Sequence, residues 1–161
     1  SYGRYDGSYE QVARRITDYV SPGRLPHALE QFALTVAYSC AIGNGDAHRK
    51  NFGLLYRNPE DEVSLAPGYD IVSTLPYMPR DTLALELGGS KAFPDRATLL
   101  RFVREVTGSK SKGSQLLDQV RAGVRRAQQE AANLGRRSRD ARPFVDRISE
   151  VLRAGVKRLT R

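Results

Sequence analysis

The sequence predicts a mostly α-helical fold with a short β-hairpin set into it. Three observations carry that prediction. Five stretches repeat apolar residues at three- and four-residue spacing, the signature of helices with one buried face. Two short β-prone runs, Phe52 to Tyr56 and Val63 to Leu65, flank the turn-forming Arg57-Asn58-Pro59-Glu60-Asp61. The strongest breaks, Ser21-Pro22-Gly23, Gly43 and Pro67-Gly68, fall between these runs.

Each element has a local reason. Ser1 to Ser8 is rich in Gly and Tyr and reads as an extended lead-in. Ser8 can cap a first helix on which Tyr9, Val12, Ala13 and Ile16 share a face. Pro26 suits the first turn of a second helix, where its missing N–H costs nothing. Leu29, Phe32, Ala33, Val36, Ala37 and Cys40 make the buried face of that helix, and Gly43 stops it. Cys40 on this face reads as core. Thr82 to Leu87 alternates weakly and predicts another short strand, closed by a turn at Gly88-Gly89-Ser90-Lys91.

Everything after Asp95 reads as helix. Asp95 caps the run Leu99, Leu100, Phe102, Val103, Val106. Gly108 to Gly113 is a polar connector. Leu116, Leu117, Val120, Val124, Ala127, Ala131 and Leu134 form a second stripe, and Gly135 to Pro143 breaks it. Phe144, Val145, Ile148, Val151, Leu152, Val156 and Leu159 form the last.

A length of 161 residues predicts one domain, residues 1–161, able to bury a core without disulfides. The lone Cys40 has no internal partner, which predicts a reducing, cytoplasmic setting. No apolar run reaches the ~18 residues of a membrane span, so no membrane partner is expected. Residue 1 is Ser and the only methionine is Met78, so a processed start or a portion of a longer product is expected. The net charge of +8 is uneven: from Arg101 onward 16 Lys/Arg face 6 Asp/Glu, and before it 10 face 12. Solvated helix faces explain this; a basic surface for DNA or an acidic partner is the alternative.

Chemistry concentrates between Ala41 and Asp70. Asp46 and Asn51 lie five residues apart in a loop opened by Gly43, and Asp70 follows the predicted hairpin. A carboxylate, an amide five residues on, and a later acidic residue is the order of catalytic and metal-binding groups in a protein kinase. Phosphoryl transfer needs a carboxylate beside the attacking hydroxyl and hard oxygen ligands for magnesium. Asp46 suits the first role, and Asn51 and Asp70 the second. His48, Arg49 and Lys50 offer cations or donors to phosphate. Singly, each residue has a plainer role as a turn former or cap.

At these residues the chain resembles the HipA-like toxin kinases. The family's N-x-D-x-H-x-K-N-F block stands here as Asn44, Asp46, His48, Lys50, Asn51 and Phe52. Its L-x-P-x-Y-D-x-x-S block stands as Leu65, Pro67, Tyr69, Asp70 and Ser73. The resemblance implies a protein-kinase-like C-terminal lobe, with the hairpin insert carrying the catalytic and metal-binding loops. It implies Asp46 as general base and His48, Arg49, Lys50, Asn51, Tyr69 and Asp70 along ATP. It also implies Asn51 and Asp70 as Mg²⁺ ligands. It further implies serine/threonine phosphorylation of a protein target such as an aminoacyl-tRNA synthetase, within a toxin–antitoxin system. A helix-turn-helix antitoxin would be the partner, with DNA contacted through it.

The chain shows no Gly-rich phosphate loop and no upstream strand-borne lysine. The N-terminal lobe that covers ATP in the family is therefore expected outside this chain, as a preceding part or a separate partner, or else the chain is a shortened regulatory relative. Alone, the chain would be an incomplete or weak enzyme. Two other readings compete: a non-catalytic module that docks DNA or a DNA-binding antitoxin through basic helices, and a metal-hydrolase cluster of Asp46, His48 and Asp70.

Overall fold

A computed structural model of the protein describes residues 3–160. Five α-helices form the body, with a small hairpin at one edge: α1 (Tyr9–Tyr19), α2 (Leu25–Ile42), α3 (Arg96–Thr107), α4 (Lys110–Arg137) and α5 (Arg142–Thr160). Strands β1 (Leu54–Leu55) and β2 (Ser64–Leu65) pair antiparallel, Leu54 with Leu65 and Leu55 with Ser64.

Helix α2 is the hub, and α1, α3, α4, α5 and β2 all pack on it. Its sequence explains why. Ala28, Ala33, Ala37 and Ala41 keep its surface close to the backbone, so several helices approach at once. Phe32, fully buried, fills the space between them and meets Phe52 and Phe102 edge-on at ring-centroid separations of 4.9 and 6.1 Å. Truncating such a ring costs about 3–5 kcal/mol.

The predicted caps form. The Ser8 hydroxyl accepts from the Gln11 amide and the Gln11 side chain accepts from the Ser8 amide, a reciprocal capping box. Asp95 accepts from the Thr98 amide at 2.9 Å and starts α3. Gly43 ends α2 at φ +71°, a left-handed conformation costly for a residue with a Cβ. Cys40 is buried on α2 as expected, and burial pushes its thiol up to about 12.

Three expectations are corrected. Thr82 to Leu87 is not a strand. It is an extended run held by isolated bridges, Ser8 with Glu86 and Leu87 with Ser90. Its neighbour is the irregular lead-in rather than a strand, so no ladder propagates. The connector before α4 is only Gly108 and Ser109, because α4 begins at Lys110 and takes in Gly113. Helix is favoured there by the Ser109 cap and by an ion pair between Lys112 and Glu30. Likewise α4 runs through Gly135 to Arg137, and its distal end leaves Leu134 46 % exposed, so that stripe is core only in its first half.

Candidate functional site

The site grows from the end of α2. Beyond Gly43 the chain folds back through local side-chain bonds. The Asp46 amide donates to Asn44 Oδ1 at 3.0 Å, and the Tyr9 hydroxyl donates to the Ala47 carbonyl at 2.9 Å from the core side. Burial pushes the Tyr9 phenol far above its usual range, so it stays a neutral donor. Phe52, packed on Phe32 and Tyr9, anchors the far end of the loop.

Four of the singled-out residues, Asp46, His48, Asn51 and Asp70, are joined by hydrogen bonds. The His48 amide donates to the Asp46 carbonyl at 2.8 Å and to Asn51 Oδ1 at 2.9 Å. Asn51 Nδ2 donates to Asp70 Oδ2 at 3.0 Å. Asn51 is buried, while the Asp70 side chain lies at the surface. Asp70 takes φ +56°, the left-handed region, which Asp tolerates better than most residues with a Cβ. The Tyr69 hydroxyl donates to the Lys50 carbonyl, tying the acidic segment to the loop a second time.

The remaining positions divide by exposure. Arg49 and Lys50 lie on the surface, on the single helical turn Arg49–Asn51. His48 is buried, with its ring edge-on to Tyr5 at 5.3 Å. Its Nδ1 has no hydrogen-bond partner among the described residues. A buried orphan of this kind costs free energy unless something else satisfies it.

Asp46 opens into a cavity of about 500 Å³ lined by Tyr5, Thr74, Met78, Asp81 and Lys91, among others. Asp70 is not part of that lining. The Tyr5 hydroxyl donates to Asp46 Oδ1 at 2.8 Å, and this bond is the main reason the Tyr5 phenol is held above its ordinary range. Reasoning from sequence missed Tyr5, Thr74, Asp81 and Lys91. Only Tyr5 had a signal, as an aromatic in a Gly-rich lead-in; the others arrive through folding of distant segments.

A larger cavity of about 790 Å³ lies elsewhere, between α1 and the start of the hairpin, with Arg14, Arg15 and Arg49 at its rim. It does not include Asp46 or Asp70. Among the described residues no group of three or more His, Cys, Asp or Glu gathers as a metal cage. The hydrolase reading of Asp46, His48 and Asp70 therefore lacks its ligand set. Asn51 and Asp70 remain as one amide and one carboxylate. That suits Mg²⁺, which takes few protein ligands and completes its shell with phosphate oxygens and water.

Fold and site together define a helical domain whose loop-and-hairpin edge links the Asp70 carboxylate, the Asn51 side-chain amide and the His48 main chain, with the Asp46 carboxylate beside them in its own cavity. Residues 1–138 match the HipA-like C-terminal domain family, and the chain belongs to it. A protein of Sinorhizobium fredii bearing the name "Putative kinase Y4dM" is 34% identical over 90 residues, 55% of this chain and 21% of its own length. The HipA–HipB–operator DNA complex of Shewanella oneidensis MR-1 includes a chain of similar fold, with a TM-score of 0.70 and 21% identity. That match covers 94% of this chain and 35% of that one. The chain thus spans about a fifth of the curated relative and about a third of the solved one. Helix α5 lies beyond the family match, yet it packs on both α2 and α4. No helix of the described residues is long and apolar enough to cross a membrane.

Proposed function

We propose that this chain is the substrate-side lobe of a HipA-like serine/threonine protein kinase, dependent on Mg²⁺ and ATP. The observation that carries the reading is the hydrogen-bonded chain from Asp70 through Asn51 to the His48 amide and the Asp46 backbone. Residues far apart in sequence are thereby held in one fixed relation. In this reading Asp46 orients the acceptor hydroxyl and takes its proton late in the transfer. The Tyr5 hydroxyl, 2.8 Å from Oδ1, marks a place where a hydroxyl donor fits against that carboxylate. A substrate hydroxyl would take that place.

Asn51 Oδ1 keeps a second lone pair beyond its bond from His48, and Asp70 keeps a second oxygen beyond its bond from Asn51. These two atoms would hold Mg²⁺, which when bound neutralises charge on the transferring phosphoryl group. His48 Nδ1, buried and without a partner among the described residues, would gain a water or phosphate partner. Arg49, Lys50 and Tyr69 would line the nucleotide. A protein of the aminoacyl-tRNA synthetase class is the proposed target, in the cytoplasm, and a second lobe would cover ATP.

The test is transfer of radiolabelled γ-phosphate by the natural full-length protein and by its Asp46→Asn variant. General-base contributions run to about 10²–10⁴-fold. Loss of that size with an unchanged melting profile is expected; near-parental transfer would remove Asp46 from the role.

A second reading concerns partners. The structural neighbour is a complex with HipB and operator DNA, and the C-terminal helices here carry the excess positive charge. Docking of a DNA-bound antitoxin on these helices would weaken steeply with salt. Binding to operator DNA alone, without antitoxin, would instead favour direct contact.

A further inference from the structure

The segment after Asp70 folds back onto the loop that carries Asp46. The Ser73 hydroxyl donates to the Ile42 carbonyl at 2.6 Å, and the Thr74 amide donates to the Gly43 carbonyl at 3.0 Å. Thr74 Oγ1 then accepts from the Gly45 amide at 2.9 Å. The same hydroxyl lies 2.5 Å from Asp81 Oδ2 and 3.2 Å from the Gly43 carbonyl. It has one proton to give. The short contact to a carboxylate is the length of a charge-assisted bond, so Asp81 takes it.

Asp81 is itself fixed. Its Oδ1 accepts from the Thr82 amide at 3.0 Å. Gly45 is pressed against it so closely that a Cβ there would stand 2.1 Å from Asp81 Oδ2 and 2.6 Å from the Thr82 carbonyl. Two carboxylates therefore border one cavity in different states. Both oxygens of Asp81 are engaged by the protein's own donors, whereas among the described residues the Asp46 carboxylate meets a single, partly exposed hydroxyl, that of Tyr5.

We propose that Thr74 and Asp81 are positioning residues: together they fix the Gly45 amide and so hold the neighbouring Asp46 carboxylate at the reacting position. This rests on the reading of Asp46 as the base. It adds that the segment from Asp70 to Asp81 sets the geometry of Asp46 as well as supplying a metal ligand. Loosening that segment loosens the base. The Asp81 carboxylate serves as a hydrogen-bond acceptor, from the Thr74 hydroxyl and the Thr82 amide.

The experiment compares the natural full-length protein with its Thr74→Val, Thr74→Ser and Asp46→Asn variants. Valine keeps the shape of Thr74 and removes the hydroxyl; serine restores the hydroxyl. Two readouts are taken: γ-phosphoryl transfer from Mg²⁺-ATP to dephosphorylated casein, and amide hydrogen exchange resolved at Gly45. Misplacement of a catalytic group by about 1 Å costs on the order of 10²-fold. Thr74→Val is expected to lower kcat roughly 10–100-fold at unchanged KM for ATP. It should also speed exchange at Gly45 while leaving α3 and α4 unchanged, and Thr74→Ser should recover both. Unchanged Gly45 exchange in Thr74→Val overturns the clamp, whether or not casein is phosphorylated. Equal losses across all helices overturn it too, since the residue would then serve general stability. Accelerated Gly45 exchange with full transfer activity overturns the positioning role. Transfer unaffected by Asp46→Asn, or absent from the parent, refutes instead the reading on which the proposal rests.

Discussion

Replacing Gly155 with Ala offers a direct test of how α5 is seated. Helix propensity alone says the change stabilises, by about 0.8–1.0 kcal/mol, because Ala loses less backbone freedom than Gly. The tertiary structure says the opposite. A Cβ on Gly155 would stand 1.9 Å from the Ala41 carbonyl oxygen and 2.9 Å from its carbon, both backbone atoms of α2. Ordinary contact begins near 3.4 Å, so α5 must retreat by about 1.5 Å at this crossing. A gap of 0.5–1 Å already forfeits about a quarter to a half of each dispersion contact. Leu152 and Leu159, both buried on α5, lose part of their packing, and the bond from Arg158 to the Cys40 carbonyl at 3.2 Å stretches. Overpacking of this kind costs about 1–3 kcal/mol, and more where backbone must move. The clash exceeds the propensity gain. A net loss of about 2 kcal/mol, or roughly 4–8 °C in Tm, is expected in thermal unfolding followed by circular dichroism. A Gly155→Ala protein as stable as its parent would show that α5 does not pack this closely on α2.

Other consequences follow from single groups. Asp70→Asn should fold normally, since Asn also tolerates the left-handed region, but should bind Mg²⁺·ATP at least about tenfold more weakly by titration calorimetry; equal affinity would remove Asp70 from the metal site. Cys40, whose thiol is pushed up to about 12, keeps its proton when folded but loses it near pH 9 when unfolded. Its contribution to stability is therefore complete below about pH 9 and declines by about 1.4 kcal/mol per pH unit between there and about pH 12. Cys40→Ala should flatten that part of the pH–stability curve relative to the parent, and identical slopes would contradict the assignment. The same burial predicts that thiol reagents label Cys40 at the rate of opening rather than of encounter, seen as a labelling rate independent of reagent concentration at high reagent.

Local chemistry made much of this molecule readable from its sequence. Ser8, Asp95 and Gly43 mark helix ends because capping and left-handed geometry depend only on neighbouring residues. The face of Phe32, Val36 and Cys40 is legible because burial imposes a helical period on apolar residues. The spacing of Asp46, Asn51 and Asp70 singled out three residues, of which the fold bonds Asn51 to Asp70 directly and reaches Asp46 only through the His48 main chain. Reach across the chain was not legible. Gly113 and Gly135 look like breaks but lie inside α4, because tertiary packing outweighs the ~1 kcal/mol helix penalty of one glycine. Thr82 to Leu87 has strand-like residues, yet pairing requires a partner strand that only the fold could provide or withhold. Tyr5 on Asp46, and Thr74 with Asp81 on Gly45, join segments 41, 29 and 7 residues apart. Such contacts have no sequence period, because the bond is set by where two loops end rather than by spacing within either.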